Sequence, residues 1–432
     1  MKPNVIRTIF SRIRSRYAPA VASCAALMFA SAAFVWPAST FAADSPAGAP
    51  AELKIGTLYA STGPFAVSSQ AQFAGLKFWV DETNKHGGVP VKAFGKKIPL
   101  KLVAYDDQSS TATATTLYNQ LITQDKVDLL VADFGSVLTS VAIPIAAEHH
   151  MLLINPTGAG ESFFRTDNPY LALVSLPVSK EWPINVGQFL LQRQIKRVAI
   201  LYGSNDFGVS QAGSLRNVLA GGGVTPVYYQ AVPTTESNYM VLLHSIAATH
   251  PDAVIEFGYP DNDIAFLKTL KSSGLHFNMV LTVYPGQLPD LITKNVGAAA
   301  LAWTYTYPAP PVVRNTGVNA GMDIDDFVKG FSASTGKQPN FMNVAGYNAG
   351  VVIETALGIA PQFSQLALRN ALGQMSGKTR TALGEFKIDA HGAQYGDLFP
   401  LAQFVPSGGT NKFVIVYPKD VANGQPTYPA PH

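Results

Sequence analysis

Ser136 and the turn at residues 155–160 carry the groups with the clearest potential chemistry in this sequence. Ser136 follows the apolar run 127–131, which is typical of a parallel strand buried on both faces, and it can cap the helix that comes next. The turn follows a second apolar run, and its small residues offer backbone N–H groups. A hydroxyl at a helix N-terminus beside such donors favours an anion, for example a carboxylate. The predicted anion-binding residues are Ser136, Thr157, Gly158 and Ala159.

Other motifs that could support catalysis or bind a metal are incomplete. Residues 208–213 resemble a nucleophile elbow, but the second glycine is one position too far, so Ser210 is interpreted as a helix residue. His149 and His150 are adjacent, and neighbouring helix residues point in different directions. Residues 158–160 do not complete a dinucleotide-binding glycine pattern. The sequence therefore predicts no catalytic residues, no metal site and no cofactor, and it favours a binding protein over an enzyme.

Four aromatic residues stand at or just beyond the C-terminal ends of predicted strands. They are Phe134, Phe207, Tyr259 and Tyr284. Ligands of open α/β sheets bind at these strand ends. We therefore predict that these rings line a ligand cleft, and ordinary packing among them is the alternative for each one.

The order of apolar runs and helical repeats predicts the fold class. Residues 53–154 read β-α-β-α-β-α-β, with one strand at 98–105, and a second set of strands and helices covers 198–283. A strand at 300–306, three helices up to 375 and short closing strands follow. A dozen parallel strands in one sheet would be unusual. The chain is therefore predicted to be an α/β protein with two doubly wound lobes and parallel sheets.

The predicted lobes are discontinuous in sequence, joined by a hinge of several strands, with the ligand cleft between them. Lobe 1 is assigned to 53–174 and 305–382, and lobe 2 to 175–304 and 383–417. Residues 43–52 are predicted to be a linker, and 418–432 a C-terminal tail.

The first 42 residues are interpreted as an export signal. A basic segment precedes the apolar run 18–35, and residues 40–42 form a candidate cleavage site. A retained membrane anchor is one alternative. Lipid attachment at Cys24, the only cysteine, is another, because residues 21–24 match a lipobox.

The net charge of +3 comes from this segment, which holds five basic and no acidic residues. Without it, 26 basic and 28 acidic residues remain, and no basic stripe with interleaved aromatic residues is left. The sequence therefore does not favour a nucleic-acid partner.

Several segments together carry a resemblance to a known family. They are the Ser-Thr-Gly-Pro loop at 61–64, Asn-Lys-His-Gly-Gly-Val at 84–89, Val-Ala-Tyr-Asp-Asp at 103–107, Ser136, and Asn-Pro-Thr at 155–157. With them, the chain resembles the periplasmic solute-binding proteins of branched-chain amino acid ABC transporters, over about residues 53–417. The resemblance implies the type I periplasmic binding fold, capture of a small-molecule ligand by hinge closure, and delivery to an ABC transporter permease. A periplasmic monomer is expected. A ligand sensor for a signalling partner and, less well supported, an exported α/β hydrolase are the alternatives.

The resemblance also implies roles for individual residues. Ser136, Thr157 and Ala159 would hold the ligand's carboxylate, and Phe207 and Tyr259 would close over the ligand from the second lobe. The family commonly places an acid on the ligand's ammonium group, just after the strand that ends here near residue 283. This chain has Tyr284 and no acid in that stretch. Either Asp206 or Glu256 substitutes, or the ligand is an acid or amide without an ammonium group.

Overall fold

The computed structural model describes residues 48–396 and 398–431 of the 432-residue chain. The predicted export signal, Cys24 and the first half of the predicted linker lie outside the described residues. Within the described part of the chain, no helix is both long enough and apolar enough to cross a membrane.

Strands and helices are numbered in chain order. The strands are β1 (Leu53–Tyr59), β2 (Val89–Val91), β3 (Lys96–Ile98), β4 (Leu100–Asp106), β5 (Leu129–Val131), β6 (Leu153–Asn155), β7 (Leu171–Leu173), β8 (Val198–Gly203), β9 (Tyr228–Val232), β10 (Ala253–Phe257), β11 (Val280–Leu281), β12 (Tyr305–Thr306), β13 (Thr379–Thr381), β14 (Gly384–Phe386), β15 (Leu401–Ser407) and β16 (Thr410–Tyr417). The helices are α1 (Ala66–Lys85), α2 (Thr111–Thr123), α3 (Gly135–Glu148), α4 (Ile184–Gln192), α5 (Asp206–Gly221), α6 (Met240–Ala248), α7 (Pro260–Ser273), α8 (Pro289–Val296), α9 (Ala298–Leu301), α10 (Ile324–Thr335), α11 (Phe341–Ile359) and α12 (Gln365–Met375).

The first sheet has the strand order β4-β1-β5-β6-β7, and each neighbouring pair is parallel. Every residue of β5, β6 and β7 is buried. Burial of this kind is what strands covered by helices on both faces require. The carboxyl ends of β5 and β6 are neighbours, so the segments that follow them start from the same edge of the sheet.

The second sheet has the order β16-β15-β12-β11-β10-β8-β9. Strands β8 to β12 are parallel, whereas β15 and β16 run antiparallel at one edge. Strand β12 joins this sheet through two residues that pair with Gln403 and Ala402 of β15. The prediction of an α/β protein with two doubly wound units and largely parallel sheets is confirmed.

Helices α1 and α11 pack at very close range, although they are far apart in sequence. A side chain on Gly75 would overlap the backbone carbonyl of Asn343, and one on Gly346 would overlap that of Gln72. The Asn343 side-chain amide also donates to the Ala71 carbonyl at 2.8 Å. Two glycines facing the partner helix therefore let the two backbones meet.

The prediction of a strand at 300–306 is wrong for most of these residues. Residues 298–301 form the short helix α9, and only Tyr305 and Thr306 pair as a strand. The run of alanines at 298–300 explains the helix, because alanine has the strongest helix propensity. Trp303 then adopts a positive φ of 66°, which interrupts an extended path.

The predicted continuous strand at 98–105 is divided. Lys96–Ile98 pairs with Val89–Val91 in a small antiparallel hairpin, and β4 of the first sheet begins at Leu100. Pro99 separates the two strands, because proline has no backbone N–H to donate to a ladder.

The chain after α12 contacts the cores of both sheets. Phe386 and Ile388, which the predicted boundary at 382/383 assigns to the second lobe, pack in the core of the first sheet. The tail lies along the second sheet, where the Tyr305 hydroxyl donates to the Thr427 carbonyl at 2.9 Å. The lobe boundaries as such stay predictions.

Candidate functional site

Ser136 is buried in the first turn of α3, where it contacts one loop of the first sheet and one loop of the second sheet. Its backbone N–H donates to the hydroxyl of Tyr259 at 3.1 Å, and its Oγ accepts from the N–H of Gly160 at 3.0 Å. The expectation that Ser136 caps the helix is wrong, since Phe134 holds the cap position without a side-chain bond. Gly135 has φ of +75°, a conformation that glycine adopts freely, and it begins the helix two residues earlier than expected.

Thr157 lies next to this helix start and joins it to α1. Its Oγ1 accepts from the N–H of Gly135 at 3.0 Å and donates to Oε1 of Gln72 at 2.6 Å. The Gln72 amide in turn donates to the carbonyl of Ala132 at 2.9 Å. The Thr157 hydroxyl thus holds the loop before α3 in place.

The other turn residues are also tied into the backbone. The N–H of Gly158 donates to Oδ1 of Asn155 at 2.7 Å, and the carbonyl of Ala159 accepts from the N–H of Ser179 at 2.8 Å. The structure therefore brings the predicted anion-binding residues together beside α3. However, the N–H of Gly158, and that of Gly160 described above, already have partners within the protein.

The predicted aromatic residues meet at Tyr259, which precedes α7 on the second sheet. Its ring stacks on Phe207 at 5.5 Å, and it lies 6.0 Å from Phe134 and 6.4 Å from Tyr284. Phe65 is a further neighbour at 5.4 Å. We call these five residues the aromatic cluster; each is at most 7% exposed.

Phe65 and Ser162 are two residues of the candidate site that the sequence patterns did not predict. Phe65 comes directly after the Ser-Thr-Gly-Pro loop, which is the signal that could have identified it. Ser162 lies in a short 3-10 turn, Glu161–Phe164, and its N–H and its hydroxyl both donate to Oδ2 of Asp206 at 2.9 Å. Asp206 therefore links α5 of the second sheet to a loop of the first sheet.

Asp133, which lies two residues before α3, forms a buried carboxyl pair with Asp107. Oδ1 of Asp133 accepts from the hydroxyl of Ser69 at 2.5 Å and from the N–H of Phe134 at 2.6 Å. Burial raises the pKa of Asp133 well above its usual range, and the charge of Asp107 raises it further. Burial also raises the pKa of Asp107, to about 6. The pair therefore retains a proton to higher pH than isolated carboxyl groups do.

This proton makes stability depend on pH. The pKa of Asp107 is about 6 in the folded state against an ordinary value of 3.8. The folded state is therefore fully stable with respect to this group below about pH 4, where Asp107 is protonated, and it loses that stability as the pH rises through about 6. Asp107→Asn cannot ionise. The measured quantity is the difference in the free energy of unfolding, variant minus wild type, from urea titrations. We expect this difference to be about 2 to 3 kcal/mol larger at pH 7.5 than at pH 4. An equal difference at both pH values would contradict the assignment.

A second carboxyl pair, Glu256 and Asp263, is fully buried behind Tyr284. Oδ2 of Asp263 accepts from the N–H of Tyr284 at 2.6 Å. Burial raises the pKa of both groups, to about 7 for Asp263 and well above the usual range for Glu256. At neutral pH this pair therefore carries less negative charge than two free carboxylates would.

In the part of the chain that the structure describes, no group of three or more histidine, cysteine, aspartate or glutamate side chains is placed to hold a metal ion. The polar groups around the aromatic cluster are instead hydroxyls, amides and the two carboxyl pairs. This set suits recognition of an organic solute through hydrogen bonds and ring contacts.

Known proteins share both the sequence pattern and the fold. The Leu/Ile/Val-binding protein homolog 7 of Brucella abortus is 24% identical over 361 residues, which cover 79% of this chain and 86% of the relative. The Leu/Ile/Val/Thr-binding protein of Salmonella typhimurium is 23% identical over 226 residues, which cover 52% of this chain and 60% of that protein.

Among solved structures, a leucine-binding protein from Thermotoga maritima superposes with a TM-score of 0.70 at 19% identity, covering 85% of this chain and all of that one. A solute-binding protein of an ABC transporter from R. palustris, in complex with benzoate, gives a TM-score of 0.69 at 19% identity, with 84% and 95% covered. At these identities the structures show a shared fold.

The family itself is shown by a sequence model. The model described as periplasmic binding protein matches residues 52–410, which include the first sheet, all of the second sheet except most of β16, and every residue of the candidate site. The resemblance stated from the sequence motifs is therefore confirmed, together with the type I fold it implies. This chain belongs to the periplasmic binding protein family.

Proposed function

We propose that the chain captures a small carboxylate-bearing solute in the periplasm, between its two sheets, and delivers it to the permease of an ABC transporter without converting it chemically. The family supports binding of a solute and a periplasmic location. The proposed ligand-contacting residues are Ser136, Thr157, Gly158, Ala159, Phe134, Phe207, Tyr259 and Tyr284, with Asp206 at the edge of the cleft.

The contact between Tyr259 and the start of α3 is the observation that carries this proposal. The N-terminus of a helix favours negative charge, and the N–H of Ser136 points at the Tyr259 hydroxyl. Burial raises the pKa of Tyr259 to about 12, so this hydroxyl is neutral at physiological pH. A carboxylate oxygen would be a stronger acceptor for the same N–H, because charge-assisted hydrogen bonds are stronger than neutral ones. A carboxylate ligand can therefore take this position from the phenol.

Hinge closure follows from the way the site is divided. Ser136 and Phe134 come from the first sheet, whereas Phe207, Tyr259 and Tyr284 come from the second. Only a closed form brings both groups to one ligand, so binding would shift an open-closed equilibrium towards the closed form. The bond from Ser162 to Asp206 is one of the contacts that would form on closure.

We further propose that the ligand has no ammonium group. Tyr284 stands where the family commonly has an acid, and the Asp206 carboxylate is already bonded to Ser162. The Glu256–Asp263 pair lies behind the backbone of Tyr284. An ammonium group buried here without a partner would cost several kcal/mol, whereas an aliphatic or flat carboxylate can pack against the aromatic cluster.

The test is competition binding with matched ligand pairs. We expect 4-methylpentanoate and 3-phenylpropanoate to compete at least as well as leucine and phenylalanine, of which they are the deaminated forms. Isothermal titration calorimetry gives the affinities. Small-angle scattering on the same samples should show a smaller radius of gyration with a saturating acid than without ligand.

Asp206→Asn is the informative variant for this test. If wild type strongly prefers the amino acids and Asp206→Asn abolishes that preference, Asp206 binds the ammonium group and the chain is an amino-acid receptor. If neither class of ligand binds, or if scattering is identical with and without a bound acid, capture by closure is overturned.

A further inference from the structure

Two buried glutamine side chains and one tyrosine hydroxyl, all next to the aromatic cluster, have no hydrogen-bond partner. Gln211 and Tyr307 are 0% exposed and Gln287 is 1% exposed. Among the residues that the structure describes, nothing pairs with either amide atom of the two glutamines or with the Tyr307 hydroxyl. Buried amides are almost always paired, since an unpaired one is destabilising.

Gln211 lies on the face of α5 that carries Phe207. The two residues are four positions apart, so their side chains are neighbours on the helix. Long helical side chains lean towards the helix N-terminus, which directs Gln211 towards the Phe207 turn and the cluster. The ring of Phe207 also packs against Trp182, with 5.1 Å between centroids.

Gln287 and Tyr307 approach the same region from the strand ends of the second sheet. The N–H of Gln287 closes a turn onto the carbonyl of Tyr284 at 2.9 Å. A side chain on the preceding Gly286 would touch the backbone of Tyr307. The Tyr307 ring lies 5.7 Å from Trp182. The ring of Trp182 therefore contacts both Phe207 and Tyr307.

Some neighbouring polar groups are paired within the protein. The indole N–H of Trp182 donates to the carbonyl of Pro177 at 2.8 Å, and the Thr306 hydroxyl donates to the carbonyl of Val283 at 3.0 Å. Single unpaired side-chain atoms also occur elsewhere around the second sheet, for example on Thr282 and Asp263. Among the described residues, however, only Gln211 and Gln287 are buried amides with both the nitrogen and the oxygen unpaired.

We propose that Gln211, Gln287 and the Tyr307 hydroxyl bind the far end of the ligand and select carboxylates that carry a neutral hydroxyl or amide group there. This inference rests on the proposed function. A glutamine amide both donates and accepts, so it matches a hydroxyl or a carboxamide. A second charge at that end is disfavoured, because it would be buried without a counter-ion.

The experiment compares acids that differ only at the far end. The pairs are 4-hydroxybenzoate with benzoate, and glutaramate with pentanoate, titrated calorimetrically into wild type, Gln211→Leu and Gln287→Leu. We expect wild type to prefer the hydroxyl or amide member of at least one pair by tenfold or more. Each leucine variant should lose most of that preference while binding the plain acid at least as well.

Ligand-free stability separates this role from a structural one. Replacing an unpaired buried amide by leucine should leave the melting temperature unchanged or raise it. The matched control is Gln403→Leu on β15, because Gln403 is equally buried but its amide is fully bonded to Trp303 and Thr427. We expect Gln403→Leu to lower the melting temperature and to leave the ligand preference unchanged.

Three results would overturn the inference. If wild type binds plain acids but shows no preference, the far-end assignment is wrong and the proposed function stands. If the Gln211 and Gln287 variants lose stability as the Gln403 variant does and keep the preference, the two amides are structural. If wild type binds none of these acids, the proposed function and this inference both fail.

Discussion

Ser136→Ala is expected to weaken binding of a carboxylate ligand by about ten- to a hundredfold while the protein stays folded. The change removes a hydroxyl that can donate to the charged ligand, and a hydrogen bond to a charged group is worth roughly 1.5–3 kcal/mol. In the structure this hydroxyl accepts from the N–H of Gly160 at 3.0 Å, so a modest loss of stability accompanies the loss of affinity. Calorimetric titration with the best acid found in the competition series measures the effect.

Ser140→Ala is the control for this prediction. Ser140 is exposed on the same helix, and its hydroxyl donates to the carbonyl of Val137 at 2.7 Å. Its removal should leave the affinity unchanged. Equal affinities for wild type and Ser136→Ala would mean that Ser136 only supports the turn at Gly160, and the carboxylate site would have to lie elsewhere.

Gly75→Ala is expected to lower the free energy of unfolding by about 3 kcal/mol or more. The added methyl group would lie 2.9 Å from the backbone nitrogen of Tyr347 and would overlap the carbonyl of Asn343. Both obstacles are backbone atoms, so α1 and α11 would have to move apart. Forcing atoms into a closely packed interface typically costs 1–3 kcal/mol, and more where the backbone cannot yield.

Gly213→Ala is the same chemical change, but we expect it to have the opposite effect on the free energy of unfolding. Gly213 lies inside α5, and a side chain there would meet nothing within 4 Å. Alanine in a helix is favoured over glycine by about 0.8–1 kcal/mol, so stability should rise slightly. Urea unfolding of both variants measures the contrast. A Gly75 variant as stable as wild type would show that the contact between α1 and α11 is looser than described.

The family and the fold class could be predicted from the sequence, and so could the proximity of Ser136 to Thr157, because each depends on local patterns. Short apolar runs at 127–131 and 151–154 indicated buried parallel strands, and parallel strands place their carboxyl ends at a common edge. Residues just after those runs therefore had to be near one another. Thr157 accepts from the N–H of Gly135, the residue before Ser136, and the hydroxyl of Ser136 accepts from the N–H of Gly160 in the same turn as Thr157.

Two strand predictions from local patterns were wrong because individual residues in those segments had a stronger effect on the backbone. Hydrophobic and aromatic content suggested a strand at 300–306, but the alanines form a helix and Trp303 turns the chain. The alternation at 98–105 continued through Pro99, which ends one strand and forces the next to start in another sheet.

By itself, the sequence determined that this chain has two α/β units and that Ser136, Phe207, Tyr259 and Tyr284 stand at strand ends. Only the tertiary structure decided their partners. The bond from Ser136 to Tyr259 joins residues 123 positions apart, and the bonds from Ser162 to Asp206 connect the two sheets. Such contacts depend on how one sheet is placed against the other, a choice that no short-range periodicity encodes. For the same reason, the unpaired amides of Gln211 and Gln287 could be recognised only once their surroundings were known.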